Sequence, residues 1–267
     1  MSRRRIAAVV LRQFYLMRGS IARVLPLFIW VAVDMVLWGF ITRYLNAISR
    51  AGLDFVPTLL GAVLLWDYFT RVMQGVTITF LEDVWSRNFL NLFATPISIG
   101  EYVTGLIVSS LLTSALGLVV MLVLATLFFG LSFLGYGAAL IPFLLILVIF
   151  GLALGVVGSA VVLRLGPASE WFIWPIPALV APFAGVFYPI STLPTWMQYV
   201  GRMLPPAPVF EGLRGIVAGR GVSMPALAWG AALAIAYLVA ACLIFGAVYR
   251  HAARVGLIAR YSAESPG

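Results

Sequence analysis

The sequence predicts an all-α, polytopic membrane protein with six membrane-crossing helices. Three observations carry the prediction. Of 267 residues, 63% are apolar and only 10% are charged, against ~45–50% and ~25% in soluble domains. The apolar residues form runs at about 25–44, 56–79, 102–128, 138–163, 171–187 and 225–249, each near or above the ~20 residues that cross a bilayer. Most charges lie between these runs, so the surplus apolar surface faces lipid.

Residues 1–24 carry six Arg and no acid. Ile6, Val10, Phe14 and Met17 share one helical face, with Arg5 and Arg12 opposite. The pattern predicts a cytoplasmic, interfacial amphipathic helix with its arginines toward anionic lipid; a disordered basic tail is the other reading. No cleavable signal sequence is visible, so the first long run reads as a retained helix. Between the second and third runs, residues 80–101 turn polar. A Gly-rich turn near 130–137 precedes the fourth run. Arg164 and Glu170 sit in the turn before the proline-rich fifth run. A long segment, 188–224, separates the last two runs, and 250–267 forms a cytoplasmic tail.

With the N-terminus inside, 11 of the 17 Arg fall on inner segments and five on outer ones, while Arg71 lies within the second run. This bias predicts a multi-pass protein of the inner (cytoplasmic) membrane with both termini cytoplasmic. It also explains the net charge of +8 without a nucleic-acid partner. None of the basic residues is Lys. A P-loop needs a lysine on the β/γ-phosphates, so any ATP chemistry belongs to another subunit. His251 and Cys242 are the only His and Cys. They leave no zinc site, no internal disulfide and no catalytic set.

Two segments carry information. The first follows the second run and holds Glu82, Asp83, Trp85, Arg87, Phe89 and Phe93, with Pro96 ending the helix near Thr95. Aromatics that fill a groove and charges that set register suit a docking helix; an interfacial loop among headgroups is the alternative. The second, 182–215, contains Pro189, Pro194, Pro205, Pro206 and Pro208, which no continuous helix accommodates. Trp196, Met197, Tyr199 and Met203 are too apolar for a free loop. Two short helices dipping into the outer half of the membrane fit best, capping the bundle.

These features together resemble the ABC-2 family of exporter permeases over nearly the whole chain. The resemblance rests on the basic N-terminus and on Glu82 leading through Asn88-Phe89-Leu90-Asn91-Leu92 to Thr95-Pro96-Ile97-Ser98 and Glu101. It rests also on Phe187-Tyr188-Pro189-Ile190-Ser191, Leu193-Pro194, Trp196, Leu204-Pro205, Glu211 and Arg214, which match a P-x-S-x-L-P-x-W pattern and its sequel. Pro206-Ala207-Pro208-Val209 departs from the family's usual residues after the late proline. The resemblance implies an ABC-2 type transmembrane domain over 25–249, working as a pair of permease subunits, here a homodimer. Two cytoplasmic ABC ATPase subunits would dock on it, binding ATP and Mg. It implies a coupling helix at about 82–95. It implies re-entrant extracytoplasmic helices at about 188–214, including Tyr188, Pro189, Ser191, Pro194, Trp196 and Arg214. Cargo in the family is mostly amphipathic or lipid-linked: glycans, glycolipids, lipids and drugs.

Asp34, Asp67 and Arg71 lie inside predicted spans and are costly in lipid. Asp67 and Arg71, four apart, share a face and can pair. A substrate contact, a proton relay and a structural pair are all consistent with them. Gly151, Gly155, Gly158 and Ser159 permit close helix approach, within the subunit or at a dimer seam. Trp171 and Tyr188 read as interface-belt anchors or as part of an apolar substrate path. The leading expectation is thus an exporter permease with no ATPase site of its own. A gradient-driven secondary transporter using Asp34 and Asp67 would instead show repeated, matched broken helices, and a membrane enzyme would show clustered acids.

Overall fold

The computed structural model describes residues 1–48, 56–86, 88–131 and 133–257, and all regular structure among them is helical. Helix α1 (Arg3–Arg18) leads into α2 (Ile21–Ile48). A π-helical turn, Val56–Leu60, opens α3 (Gly61–Trp85). Short α4 (Phe89–Phe93) precedes α5 (Ile99–Phe129). A 3-10 segment, Phe133–Ala139, leads to α6 (Leu140–Leu165). Then come α7 (Glu170–Ile173), α8 (Ile176–Ala184), α9 (Thr195–Arg202), α10 (Pro206–Val217) and α11 (Met224–Val255).

Among the described residues, four stretches are long and apolar enough to cross a membrane: Arg23–Ile48, Ile99–Phe129, Gly135–Leu165 and Met224–Val255. They contain α2, α5, α6 and α11. Helix α3 has the length, about 37 Å at 1.5 Å per residue, but is less apolar. It occupies the middle of the bundle, against α5, α6 and α10. Little of it faces lipid, so it tolerates Asp67, Arg71 and Gln74.

The seam between α3 and α6 is close because α6 presents glycines to it. A Cβ on Gly155 would lie 2.9 Å from the Met73 carbonyl oxygen, and one on Gly158 would lie 2.6 Å from Thr77 Oγ1. Thr77 Oγ1 donates to the Gly155 carbonyl at 3.0 Å across the seam. The small-residue row therefore packs inside the chain. Helix α11 covers α6 on another side.

Three expectations need correction. The second predicted run does not end at Thr79; α3 continues to Trp85. The polar residues there stay helical because Asp83 is held from outside by α1. The fifth run, 171–187, is not one helix. It breaks at Trp174–Pro175 into α7 and α8 and stops at Gly185, whose φ is +63°. Pro175 cannot donate to the preceding turn, and neither piece alone reaches across a bilayer at 1.5 Å per residue. Finally, α1 aims Arg5 and Arg12 at the bundle rather than at headgroups, Arg12 half-buried and Arg5 still exposed. Both pair with carboxylates of this chain, while Leu11, Phe14 and Tyr15 are exposed. The attraction of buried Asp83 and Glu101 outweighs burying those three apolar side chains against the bundle.

The 188–217 region holds a 3-10 turn, Ile190–Thr192, and then α9 and α10. Prolines stand at the starts, where a missing N–H costs nothing. Pro194 precedes α9, while Pro205 and Pro206 open α10.

Candidate functional site

Two neighbouring features of α3 make up the site: its C-terminal end and the cleft along its α2 side. At the C-terminal end, Asp83 is only 3% exposed. Arg12 donates two hydrogen bonds to its carboxylate, one of them 2.9 Å from Nη1 to Oδ2. The Tyr102 hydroxyl donates to the same Oδ2 at 2.6 Å. The bond to Asp83 pushes the Arg12 guanidinium above its ordinary value, so it stays charged. Beside it, Ser98 and Glu101 cap α5 reciprocally. Ser98 Oγ accepts from the Glu101 N–H at 3.3 Å, and the Glu101 carboxylate accepts from the Ser98 N–H at 3.0 Å. That carboxylate also accepts from the Ser2 N–H at 2.6 Å and from Arg5 at 3.4 Å. Thus α1 is tied to α3 and to α5 by charge-assisted bonds.

The residues expected to dock a partner separate here. Asp83 and Phe89 are buried, which corrects them as direct contacts. Phe89 packs edge-on against Phe80 and Tyr102 at 5.1 and 5.9 Å between centroids. Phe93 is half-buried beside Phe89 at 5.5 Å. Trp85 is 53% exposed, and Asn91, Thr95 and Pro96 lie on the same open turn. Glu82 pairs with Arg23 of α2 at 2.9 Å. Arg87 lies outside the described residues.

The cleft has a volume of about 630 Å³. Helix α2 forms one wall with Arg23, Trp30 and Asp34. Helix α3 forms the other with Asp67, Arg71, Gln74, Thr79 and Glu82. Ser109, Ser110, Thr113 and Ser114 of α5 make the floor. Gln13 and Met17 of α1 lie at one end, and Trp174 comes from the α7–α8 turn. So the three intramembrane charges singled out from the sequence meet in one place. The Arg71 Nε donates to Asp67 Oδ2 at 2.8 Å, as their spacing predicts. Gly117 of α5 leaves room for the Arg71 side chain; a Cβ there would sit 3.4 Å from Arg71 Cδ. Sequence reasoning missed the floor. Its signal was Ser109, Ser110, Thr113 and Ser114, whose i, i+1, i+4, i+5 spacing puts hydroxyls on one helix face. Among the described residues, no three His, Cys, Asp or Glu side chains gather to hold a metal ion.

At the other end of the bundle, Glu211 and Arg214 of α10 organise the proline-rich segment. Glu211 Oε1 accepts from the Ile190 N–H at 2.9 Å and from Arg214 at 3.0 Å. Arg214 also donates to the Val186 carbonyl at 3.4 Å. The Tyr188 hydroxyl donates to the Pro182 carbonyl at 2.9 Å. Ser191 and Pro194 lie on the surface, and Pro189 accepts the Thr192 N–H at 3.1 Å. Trp196 is exposed, edge-on to Phe183 at 6.1 Å.

Apolar stretches long enough to cross a bilayer, packed around a charged central helix that its neighbours cover, suit an integral membrane protein. Residues 5–218 match the family of ABC-2 type transporters, and the chain belongs to that family. It is a transmembrane component of such a transporter, and members of this family generally work with an ABC ATPase. A comparison with curated proteins finds no match.

Proposed function

We propose that this chain is the permease subunit of an ATP-binding-cassette exporter. It would move an amphipathic or lipid-linked substrate out of the cytoplasm or inner leaflet. The family match over 5–218 is the observation that carries this reading. The protein would sit in the inner membrane with both termini cytoplasmic and work as a homodimer. Two ATPase subunits, binding ATP and Mg, would dock at 82–95. The two short helices α9 and α10 would be the re-entrant pair at the outer side, and α1 would lie at the inner interface.

The fold suggests how docking couples to transport. Trp85 is exposed at the tip of α3, and the same helix forms a wall of the cleft. Arg12 and Asp83 join that tip to α1, and Glu82 with Arg23 joins it to α2. A pull on the α3–α4 turn would thus move α1, α3 and α2 together and change the cleft. ATP binding biases the two states only through contacts that differ between them, and the α3 tip is where such contacts would form.

The test is reconstitution with a candidate partner ABC ATPase. Trp85→Ala combined with Phe93→Ala is expected to reduce substrate-stimulated ATPase activity about tenfold, the loss of ~1.4 kcal/mol of docking energy. Unchanged stimulation and transport in the double variant would remove the coupling role of this segment.

A further inference from the structure

We propose that the cleft binds an amphipathic cation, with its charge against Asp34 and its apolar body against Trp30 and Trp174. The argument is a charge count. Five charged side chains line the cleft. Arg71 is engaged by Asp67 at 2.8 Å, and Arg23 by Glu82 at 2.9 Å. Asp34 alone has no hydrogen bond or ion pair among the described residues, although Asp67 and Arg71 are its charged neighbours. The cleft therefore holds three acids against two arginines, and Asp34, halfway along α2, is the acid with no arginine bonded to it among the described residues. A carboxylate at that depth calls for a counter-charge, and among the described residues Arg71, already hydrogen-bonded to Asp67, is its cationic neighbour.

Two further groups await a ligand. Gln13 Nε2 and Ser114 Oγ both line the cleft, both belong to residues more than nine-tenths buried, and neither has a hydrogen-bond partner. Buried polar atoms are rarely left so. Trp30, one turn before Asp34 on α2, and Trp174 are exposed and add indole faces to the cleft lining. Aromatic faces attract cations and repel anions. A volume of about 630 Å³ suits a ligand of drug size. An anionic or a purely neutral cargo would leave Asp34 unpaired, and an anion would also be repelled.

This assignment rests on the exporter reading only in calling the ligand a substrate; the binding itself is independent of any ATPase. The probe pair is tetraphenylphosphonium and tetraphenylborate, which share size and shape and differ in charge. Equilibrium binding is measured to the purified chain in nanodiscs of phosphatidylcholine. With binding to empty nanodiscs subtracted, tetraphenylphosphonium is expected to bind saturably, and tetraphenylborate about tenfold more weakly or not at all. Asp34→Asn is expected to weaken the cation about tenfold and to erase the preference. Asp34→Glu should keep both, and Trp30→Ala should weaken the cation about threefold. Equal binding of the two ions, or unchanged cation binding in Asp34→Asn, overturns the proposal. Folding is checked on the same samples by thermal unfolding, and removing an unpaired carboxylate should leave the midpoint unchanged or higher. Because no ATPase is present, failure here leaves the docking result at Trp85 standing, and the reverse also holds.

Discussion

Helix α3 meets its two neighbours in opposite ways. Toward α6 the backbones close on each other until a single added methyl would touch a carbonyl oxygen. Toward α2 the walls stand apart around a cleft of about 630 Å³. The seam is built from Gly151, Gly155 and Gly158 facing Phe69, Met73 and Thr77. The cleft is lined by charges and hydroxyls among apolar side chains such as Met17, Trp30 and Ile78. In lipid, tails are as apolar as side chains, so helices associate through close packing and hydrogen bonds. The seam supplies both, whereas the cleft is bridged, among the described residues, by the ion pair of Arg23 with Glu82. The difference divides the bundle into a close-packed half, α3 with α6 and α11, and an open side, where α2 stands off α3 and packs on α5 instead.

The largest effect is expected where α1 locks onto the end of α3. Asp83→Ala leaves the Arg12 guanidinium and the Tyr102 hydroxyl without their shared acceptor. Breaking a buried ion pair from one side costs about 3–5 kcal/mol. Unfolding in mild detergent should show that loss, with Asp83→Asn in between because it keeps an oxygen for Tyr102. A loss under about 1 kcal/mol would mean that water or headgroups already share Arg12.

The same substitution tried on both sides of α3 gives the next contrast. Gly155→Ala puts a methyl 2.9 Å from the Met73 carbonyl oxygen, which is backbone and cannot swing away. Overpacking of this kind costs about 1–3 kcal/mol. Gly117→Ala meets only the Arg71 side chain at 3.4 Å. There the helix propensity of Ala should dominate, stabilising by up to about 1 kcal/mol. Opposite signs in the two unfolding midpoints would support the division; equal signs would erase it.

How much of this was legible in the sequence depends on the range of the interaction. The Asp67–Arg71 pair is four residues apart, and its spacing alone revealed it. The apolar runs located α2, α5, α6 and α11 for the same reason, because length and hydropathy are local. Pro175 was equally local, yet the apolar run around it masked the break between α7 and α8. The pairing of α1 with the bundle was not legible. It depends on Asp83 and Glu101, which lie 71 and 96 residues from Arg12 and Arg5, and by its own pattern α1 presents arginines to lipid. The cleft was half legible. Asp34, Asp67 and Arg71 stood out as charges, but the hydroxyls of α5 hid in a run whose mean hydropathy stays high.

Smaller effects refine the comparison. Thr77→Val keeps the shape of the seam and removes the bond to the Gly155 carbonyl. Intramembrane bonds of this type average about 0.6 kcal/mol, and a loss of that size is expected. A larger loss would show that the hydroxyl, rather than the glycines, sets the approach of α6.

The smallest effect belongs to the cleft floor, and there the direction matters more than the size. Ser110 and Ser114 sit one turn apart on α5. Ser110 Oγ donates to the Val72 carbonyl at 2.9 Å, so Ser110→Ala should cost about 0.6 kcal/mol. Ser114 Oγ is buried without a partner. Removing an unsatisfied hydroxyl relieves a desolvation cost, so Ser114→Ala should be neutral or slightly stabilising. The same variant should weaken binding of a ligand that reaches the floor. Stability held while binding falls marks a group kept for a ligand, because a packing role would lower both together. If Ser114→Ala destabilises the chain as Ser110→Ala does, the floor is ordinary helix packing and only the walls of the cleft remain as a site.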